Sequence, residues 1–303
     1  GEVDRALRVH QNLVARPNLD HRYRNRARLE LAQDYMKAGV LDRAEGLYLE
    51  LLEQGMFQDA ALSSLVSIYE KERDWERAID ATRRQEKVQG APEPRRLAQY
   101  ACEMAEEALW TKDTKTALQW VKRALSDDRD CVRASLLEGR AREASEDIRG
   151  AVKAYRRVAR QDARFVVETL EPLKRCYESL SQQSEWLAYL REQSDQQTLP
   201  AVQVALARES EPAEGVALLA SYLSSPPSWT AFNHLLELNQ SELPATLAAP
   251  LQTLHGALRA TLASAPLYAC QHCGFSGRAI HWQCPSCRHW ASMIPVSDAA
   301  KPA

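Results

Sequence analysis

Hydrophobic residues recur at intervals of three and four positions through most of this chain, in segments of ten to twenty residues separated by polar, Gly- or Pro-bearing turns. That spacing puts the apolar side chains on one face of an α-helix, so the pattern predicts consecutive amphipathic helices. After Pro266 the pattern changes to alternation of apolar and polar positions, which predicts short strands. The chain is therefore expected to be all-α, with a small, different module at its C-terminus.

The helical part carries an internal repeat. An alanine that follows a charged turn returns after 34, 39 and 34 residues, at Ala44, Ala78, Ala117 and Ala151. A period of 34 residues with two helices in each repeat is typical of tetratricopeptide repeats, whereas a plain helical bundle predicts no fixed spacing. The longer interval contains Gly90, Pro92 and Pro94, which interrupt one helix before the next begins.

Large and small residues also fall at the positions that this repeat requires. Tyr35 and Tyr69 stand nine residues before an alanine of the series, and Tyr48 and Tyr155 stand four residues after one. Small residues let the two helices of a repeat approach closely, and they occur at Ala32, Ala105 and Gly139. We predict a tetratricopeptide-repeat superhelical solenoid, with regular repeats in residues 1–163 and atypical helical repeats that continue the solenoid in residues 164–265.

Composition limits the function classes. With a net charge of −2 and a pI near 6.4, the 303-residue chain lacks the basic excess of a nucleic-acid-binding surface, and we expect no nucleic-acid partner. No signal peptide and no run of eighteen apolar residues occur in this sequence. A local basic run at Arg22, Arg24, Arg26 and Arg28 is interpreted as a solvated helix face, with contact to an anionic lipid surface as the alternative.

The strongest chemical signal lies in residues 266–296, which we call the finger. Cys270 and Cys273 form one C-x-x-C pair, and Cys284 and Cys287 form another after a ten-residue spacer. Two such pairs can hold one metal ion in a tetrahedron of thiolates. Gly274 follows the first pair, where a turn around the metal needs positive φ. We predict that these four cysteines bind one metal ion.

Disulfides or redox C-x-x-C motifs are the alternative. Cys102, Cys131 and Cys176 are scattered singly through helical sequence, which favours a reducing compartment and packing as small hydrophobic residues. The ion is zinc or iron, because four thiolates accept both. A filled shell has no open position for a substrate, so we expect a structural site. His272, His281 and His289 are interpreted as surface imidazoles or as neighbours of the ligands.

A segment as short as the finger cannot form an independent apolar core, and metal must substitute for it. Aromatic and aliphatic residues are expected to wrap the site, although Trp282 or Trp290 could instead anchor a partner protein; the set is Tyr268, Phe275, Ile280, Trp282, Trp290 and Ile294. Residues 297–303 are small, polar and proline-bearing, and we predict a disordered tail there.

No phosphate-binding loop, no G-x-S-x-G and no H-E-x-x-H motif occurs in the sequence. We therefore expect no enzyme. An array of helix pairs presents an extended surface that suits a peptide or a helix of another protein, which favours an adaptor.

Helical repeats closed by the pattern C-x-x-C-G and W-x-C-P-S-C-R-x-W resemble the lipopolysaccharide assembly protein B family of Gram-negative bacteria, over essentially the whole chain and most sharply in residues 268–295. The resemblance identifies the finger as a rubredoxin-like metal-binding module of the zinc-ribbon type. It implies that Cys270, Cys273, Cys284 and Cys287 bind the metal ion. The short spacer differs from that of electron-transfer rubredoxins.

The resemblance also implies a function. Family members are anchored in the inner membrane by an N-terminal helix that is missing from this sequence, and their repeats and metal module lie on the cytoplasmic side. They promote degradation of the lipid A pathway deacetylase LpxC by the AAA+ membrane protease FtsH. Expected partners are therefore FtsH, LpxC and other inner-membrane lipopolysaccharide assembly proteins. Two alternatives remain: a redox protein with an iron centre of four thiolates, and a generic repeat adaptor with another client.

Overall fold

The computed structural model describes residues 2–197, 199–224, 228–239 and 245–296. Within these ranges the chain forms fifteen α-helices, one short 3-10 helix and one antiparallel sheet of three short strands. The predicted class, helical repeats followed by a small C-terminal module, is confirmed. No helix among the described residues combines the length and apolarity needed to cross a membrane.

The chain divides into two compact units, Gly1–Met104 and Ala105–Ala303. The boundary falls inside one helix, α6. The helices up to that point are α1 (Glu2–Val14), α2 (His21–Ala38), α3 (Leu41–Glu53), α4 (Gln58–Glu72), α5 (Trp75–Gln89) and α6 (Pro94–Trp110). In the first unit each helix from α1 to α5 packs against the next one along the chain.

The second unit continues with helices and ends with the sheet. Its elements are α7 (Thr114–Asp127), α8 (Val132–Ala144), α9 (Ile148–Gln161), the 3-10 helix (Ala163–Val166), α10 (Val167–Ser179), α11 (Gln183–Gln196), α12 (Pro200–Glu209), α13 (Pro212–Leu223), α14 (Trp229–Leu238), α15 (Ala245–Ser264), β1 (Tyr268–Cys270), β2 (Ser276–Gly277) and β3 (Met293–Pro295). From α7 to α15 consecutive helices pack on one another. The division of the chain at residues 163 and 265 stays a prediction.

One turn design separates the two helices of successive repeats. The second helices are α3, α5, α7, α9 and α11, and the residue just before the N-cap of each has positive φ. These residues are Gly39, Arg73, Lys112, Glu146 and Ser181. In three of these turns the next residue is an aspartate, and the side chains of Asp74, Asp113 and Asp147 accept a hydrogen bond from the backbone N–H three positions later. Such caps satisfy a helix N-terminus and start the second helix at a fixed place.

The repeat positions read from the sequence are buried as expected. Ala44, Ala78, Ala117 and Ala151 have no solvent exposure. Tyr48 and Tyr155 are also fully buried. Gly139 shows why one position must be small, since a Cβ atom there would lie 2.2 Å from the ring of Tyr155. These contacts confirm the phase of the predicted repeat.

The period continues beyond residue 163, where the consensus fades. Ser181 lies 35 residues after Glu146 and repeats its positive φ. The alanine position of this repeat is taken by Trp186, which stacks on Tyr189 with 6.0 Å between ring centroids. A large ring thus replaces the small residue, and a single apolar cluster joins α9 to α12 around it.

The finger forms a sheet in the order β2-β1-β3, with both neighbours antiparallel to β1. Tyr268 pairs with Gly277 on one side and with Pro295 on the other. The tail predicted to be disordered, residues 297–303, lies outside the described residues.

Candidate metal centre

The two C-x-x-C pairs fold into two matching turns. In the first, Gly274 N donates to Cys270 O at 3.0 Å, and Cys270 N donates to Phe275 O at 2.7 Å. In the second, Arg288 N donates to Cys284 O at 2.9 Å, and Cys284 N donates to His289 O at 2.9 Å. The same two hydrogen bonds therefore close both turns.

Each turn requires positive φ just after its second cysteine. Gly274 has φ +77°, as the sequence predicted, and Arg288 has φ +59° at the equivalent place. Glycine adopts this conformation without a steric penalty, whereas the Cβ atom of any other L-residue clashes with the backbone and raises the conformational energy. The second turn is therefore the more strained of the two.

The turns bring the four sulfur atoms of the predicted ligands together. Cys270, Cys273, Cys284 and Cys287 place them all within 4.8 Å of one another. Cys270 Sγ lies 3.7 Å from Cys287 Sγ, and Cys273 Sγ lies 3.7 Å from Cys284 Sγ. A metal ion held at about 2.3 Å by four tetrahedral thiolates sets its sulfur atoms about 3.8 Å apart. The donor set fits a metal ion, and these separations exclude disulfides, whose sulfurs lie about 2.05 Å apart.

The electrostatics also favour a cation. Burial opposes ionisation of Cys270, but contacts with Ser292 and with the backbone of Cys273 and His272 lower the pKa of this thiol to about 6. The backbone of His289 lowers the pKa of Cys287, yet the three neighbouring sulfurs raise it to about 12. A fourth negative charge beside three sulfurs is unfavourable unless a positive ion lies between them.

Two of the three histidines of the finger, His272 and His289, lie beside the site. His272, His281 and His289 are all exposed, and the rings of His272 and His289 stack with 3.5 Å between centroids. Their ring nitrogens lie within 4.8 Å of each other and of Cys287 Sγ. Four cysteines already complete a tetrahedron, so these imidazoles border the ligands on the surface.

The finger has a very small apolar core of its own. Its buried members are Tyr268, Cys270, Cys284 and Met293, and Phe275 and Ile280 pack on them. Two of the four buried residues are predicted metal ligands. Without a metal ion, little apolar contact would hold this fold.

The finger also packs on helices that lie more than a hundred residues earlier in the chain. Trp282 stacks on Phe165 with 5.8 Å between ring centroids, and the guanidinium of Arg133 lies 5.8 Å from the centre of the Trp282 ring. Ile280 and Ile294 join Trp282 against a buried apolar cluster formed by Val132, Val158 and Phe165. The finger is thus docked on α8, α9 and the 3-10 helix.

Two polar contacts extend this attachment. The hydroxyl of Tyr268 donates a hydrogen bond to Glu168 on α10, and burial with this carboxylate raises the pKa of the tyrosine. Arg278 Nη1 donates to Ala265 O at 2.8 Å and to Leu262 O at 3.2 Å, at the end of α15. The finger therefore joins the last helix to helices near the middle of the chain.

These contacts correct one expectation. Trp282 and Ile294 were expected to wrap the metal site, but they pack on the repeat helices instead. The sequence did not predict the docking residues Val132, Phe165 and Glu168, because contacts so distant along the chain leave no periodic pattern.

Comparisons with known proteins bear on both regions. The family described as Rubredoxin metal binding domain matches residues 268–295. Lipopolysaccharide assembly protein B of Escherichia coli (strain K12) is 32% identical over 301 residues, covering 98% of this chain and 77% of that protein. The protein of the same name from Haemophilus influenzae is 32% identical over 303 residues, covering 98% of this chain and 76% of its own length.

Among solved structures, a tetratricopeptide repeat protein from Parabacteroides merdae matches 78% of this chain and 90% of its own, at 12% identity and a TM-score of 0.33. This similarity is too low to add to the helix pairing described above. The alignments with the two lipopolysaccharide assembly proteins, in contrast, extend over 98% of the chain at 32% identity.

Proposed function

The chain belongs to the lipopolysaccharide assembly protein B family, and we propose that it is a non-catalytic adaptor in lipopolysaccharide assembly. The observation that carries this proposal is the match to relatives of that name along 98% of the chain, through the repeats and the finger alike. An adaptor needs surfaces for other proteins, and stacked helix pairs offer them.

More specifically, we propose that the protein promotes degradation of the deacetylase LpxC by the membrane protease FtsH. The repeats would hold the protease or its substrate, and other inner-membrane lipopolysaccharide assembly proteins would join them. An inner-membrane anchor N-terminal to these residues would keep the repeats on the cytoplasmic side. The family resemblance supports these partners and this location.

We propose further that Cys270, Cys273, Cys284 and Cys287 hold one Zn²⁺ or iron ion. The sulfur separations of 3.7 Å support this ligand set. Such an ion supplies the folding energy that the small core of the finger lacks. With four thiolates around it, the ion keeps no position open for a substrate, which favours a structural role over catalysis.

The test is the half-life of LpxC after translation is blocked, in cells of the source organism with and without the full-length protein. We expect LpxC to persist when the protein is absent and to decay normally when it is restored. Full-length protein carrying Cys284→Ser should fail to restore decay, whereas Cys102→Ala, which removes a buried cysteine of α6 that is not a predicted metal ligand, should restore it. An LpxC half-life that does not depend on the protein would refute the proposed function.

A further inference from the structure

Two grooves occupy equivalent positions in the repeats. The α3–α5 groove, within the first unit, is lined by residues that include Glu45, Asp80 and Arg84. The α7–α9 groove, within the second unit, is lined by residues that include Lys122 and Arg157. Arg84 follows Ala78 by six positions and Arg157 follows Ala151 by six, so the two arginines are equivalent. Because the two grooves are equivalent, a difference between their charges indicates a difference in what they bind.

The α3–α5 groove neutralises its own charges. Its two cations are Arg77 and Arg84, and its two anions are Glu45 and Asp80. Arg77 Nη1 lies 2.6 Å from Glu45 Oε1, and Arg84 Nη1 lies 4.0 Å from Asp80 Oδ2. This groove has no net charge to offer a partner.

The α7–α9 groove has an excess of positive charge. Lys122, Arg142 and Arg157 line it together with a single carboxylate, Glu138. Both arginines pair with that carboxylate, Arg142 Nη2 at 2.9 Å, and Arg142 Nη1 also lies 2.6 Å from Asp147 Oδ2, which leaves Lys122 as the unpaired cation of the lining in the described part of the chain. Lys122 is exposed, and no ion pair engages it among the described residues. The groove therefore keeps uncompensated positive charge.

The positive charge continues along α9. This helix contains no acidic residue, and its exposed cations Arg149, Lys153 and Arg160 follow one another at intervals of four and seven positions. That spacing places them on one face. Lys153 precedes Arg157 by four positions and Arg160 follows it by three, so this face borders the groove.

The floor of the α7–α9 groove is apolar. Leu118, Val121 and Leu125 of α7 line it, and its volume is about 530 Å³. A volume of this size accepts a few side chains. The groove thus combines an apolar floor with cations on two of its walls.

We propose that the α7–α9 groove binds a segment of a partner protein that carries carboxylates next to apolar side chains. The apolar side chains enter the groove above Leu118 and Leu125, and the carboxylates pair with Lys122 and with the cations of α9. A flat anionic surface would reach the exposed cations but would leave the apolar floor empty, so the shape favours a polypeptide. This inference rests on the proposed adaptor function, for which it names the chemistry of the bound partner.

The test uses a fluorescein-labelled peptide of alternating Glu and Leu, with binding to the full chain followed by anisotropy. The double variant Lys122→Glu with Lys153→Glu should bind the peptide at least about tenfold more weakly, because two attractive charges become repulsive. The matched control is Arg84→Glu with Lys87→Glu, the same change of charge around the α3–α5 groove, and it should bind within about twofold of the unchanged protein. Circular dichroism checks that both variants fold.

Each alternative has its own result. Equal weakening by both double variants would show a general charge effect and would overturn the proposal, as would equal binding by all three proteins. Vesicles of phosphatidylglycerol provide the second probe. If Lys122→Glu with Lys153→Glu releases the protein from vesicles while peptide binding is unchanged, the surface faces lipid and the proposal is wrong.

The proposed function and this inference can fail separately. An LpxC half-life that is independent of the protein, together with groove-dependent peptide binding, would refute the LpxC proposal and leave the groove in place. The opposite result is an LpxC half-life that depends on the protein, together with a double variant Lys122→Glu with Lys153→Glu that changes neither this half-life nor peptide binding. That result would support the LpxC proposal and refute the groove proposal.

Discussion

The repeats and the finger are stabilised in opposite ways. In the repeats, fully buried residues such as Ala44, Tyr48, Ala151 and Tyr155 recur at equivalent positions, and consecutive helices pack on one another from α1 to α5 and from α7 to α15. In the finger, the buried core consists of four residues, two of which are cysteines. The repeats can therefore fold through apolar burial, whereas the finger depends on metal and on the helices beneath it.

The two regions also share one device, a residue with positive φ that turns the chain. The repeats place it before the second helix of a pair, at Lys112 and Glu146 for example, and the finger places it after the second cysteine of each turn, at Gly274 and Arg288. Four of the five such residues in the repeats and one of the two in the finger are not glycine. Turn strain is therefore common to the two regions, and the source of stability is what differs.

The largest expected effect comes from removing a metal ligand. Cys284→Ser should release the metal ion and unfold the finger, because binding of a structural metal contributes on the order of 10 kcal/mol to such folds. Metal analysis and limited proteolysis of residues 266–296 would measure this, and far-UV circular dichroism should remain strongly helical. Cys102→Ala is the control and should keep the metal ion. A Cys284→Ser protein whose finger resists protease as before would contradict dependence on metal.

The next prediction concerns a substitution that weakens docking of the finger on the repeats and leaves the metal ligands unchanged. Trp282→Ala removes the ring that stacks on Phe165 and should weaken docking by about 2 kcal/mol, since the side chain is half-buried. We expect faster proteolysis at the finger with the metal ion retained. Trp110→Ala removes a ring that is 90% exposed and should change nothing. Loss of metal from Trp282→Ala would mean that this residue supports the metal site itself.

A smaller effect tests the repeats. Gly139→Ala places a Cβ against the Tyr155 ring and should lower the free energy of unfolding by about 1–3 kcal/mol. Gly46→Ala, on an exposed face of α3 with nothing within 4 Å of its Cβ, should raise it by about 0.5–1 kcal/mol. Urea unfolding gives both values, and removal of the metal ion should leave their order unchanged. Equal effects of the two substitutions would disprove close packing at Gly139.

The smallest effect lies in the second turn of the finger. Arg288→Gly relieves the strain of φ +59° and should stabilise the metal-bound finger by about 0.5–1 kcal/mol. Competition with a chelator would measure the gain as tighter metal binding. Gly274→Ala should shift the affinity in the opposite direction. Weaker metal binding by Arg288→Gly would show that the arginine side chain contributes a contact that outweighs the strain.

Much of the fold could be predicted because its signals are local. The flanking tyrosines and the C-x-x-C pairs depend on residues a few positions apart, and the alanine series repeats at nearly constant intervals of 34 to 39 residues along the chain. The N-cap residues Asp74, Asp113 and Asp147 could also have been predicted, because each stands four positions before an alanine of the series. The predictions from the sequence did not include them.

The docking of the finger could not be predicted in this way. Contact between Phe165 and Trp282 joins residues with no shared period, and the apolar character of Trp282 suits the metal site as well as the helices. The charge of the α7–α9 groove has the same origin, since Lys122 and Arg157 come from different repeats. Both features arise from folding in three dimensions, after which distant residues meet.

A finger that is held together by metal should stabilise the helices on which it docks. Amide hydrogen exchange, measured with the metal ion bound and after its removal by a chelator, tests this most directly. We expect faster exchange in residues 268–296 and also in α8 and the 3-10 helix, where Val132 and Phe165 become exposed, with no change in α2 to α5. Faster exchange confined to the finger, with α8 and the 3-10 helix as protected as before, would show that the finger does not stabilise these helices.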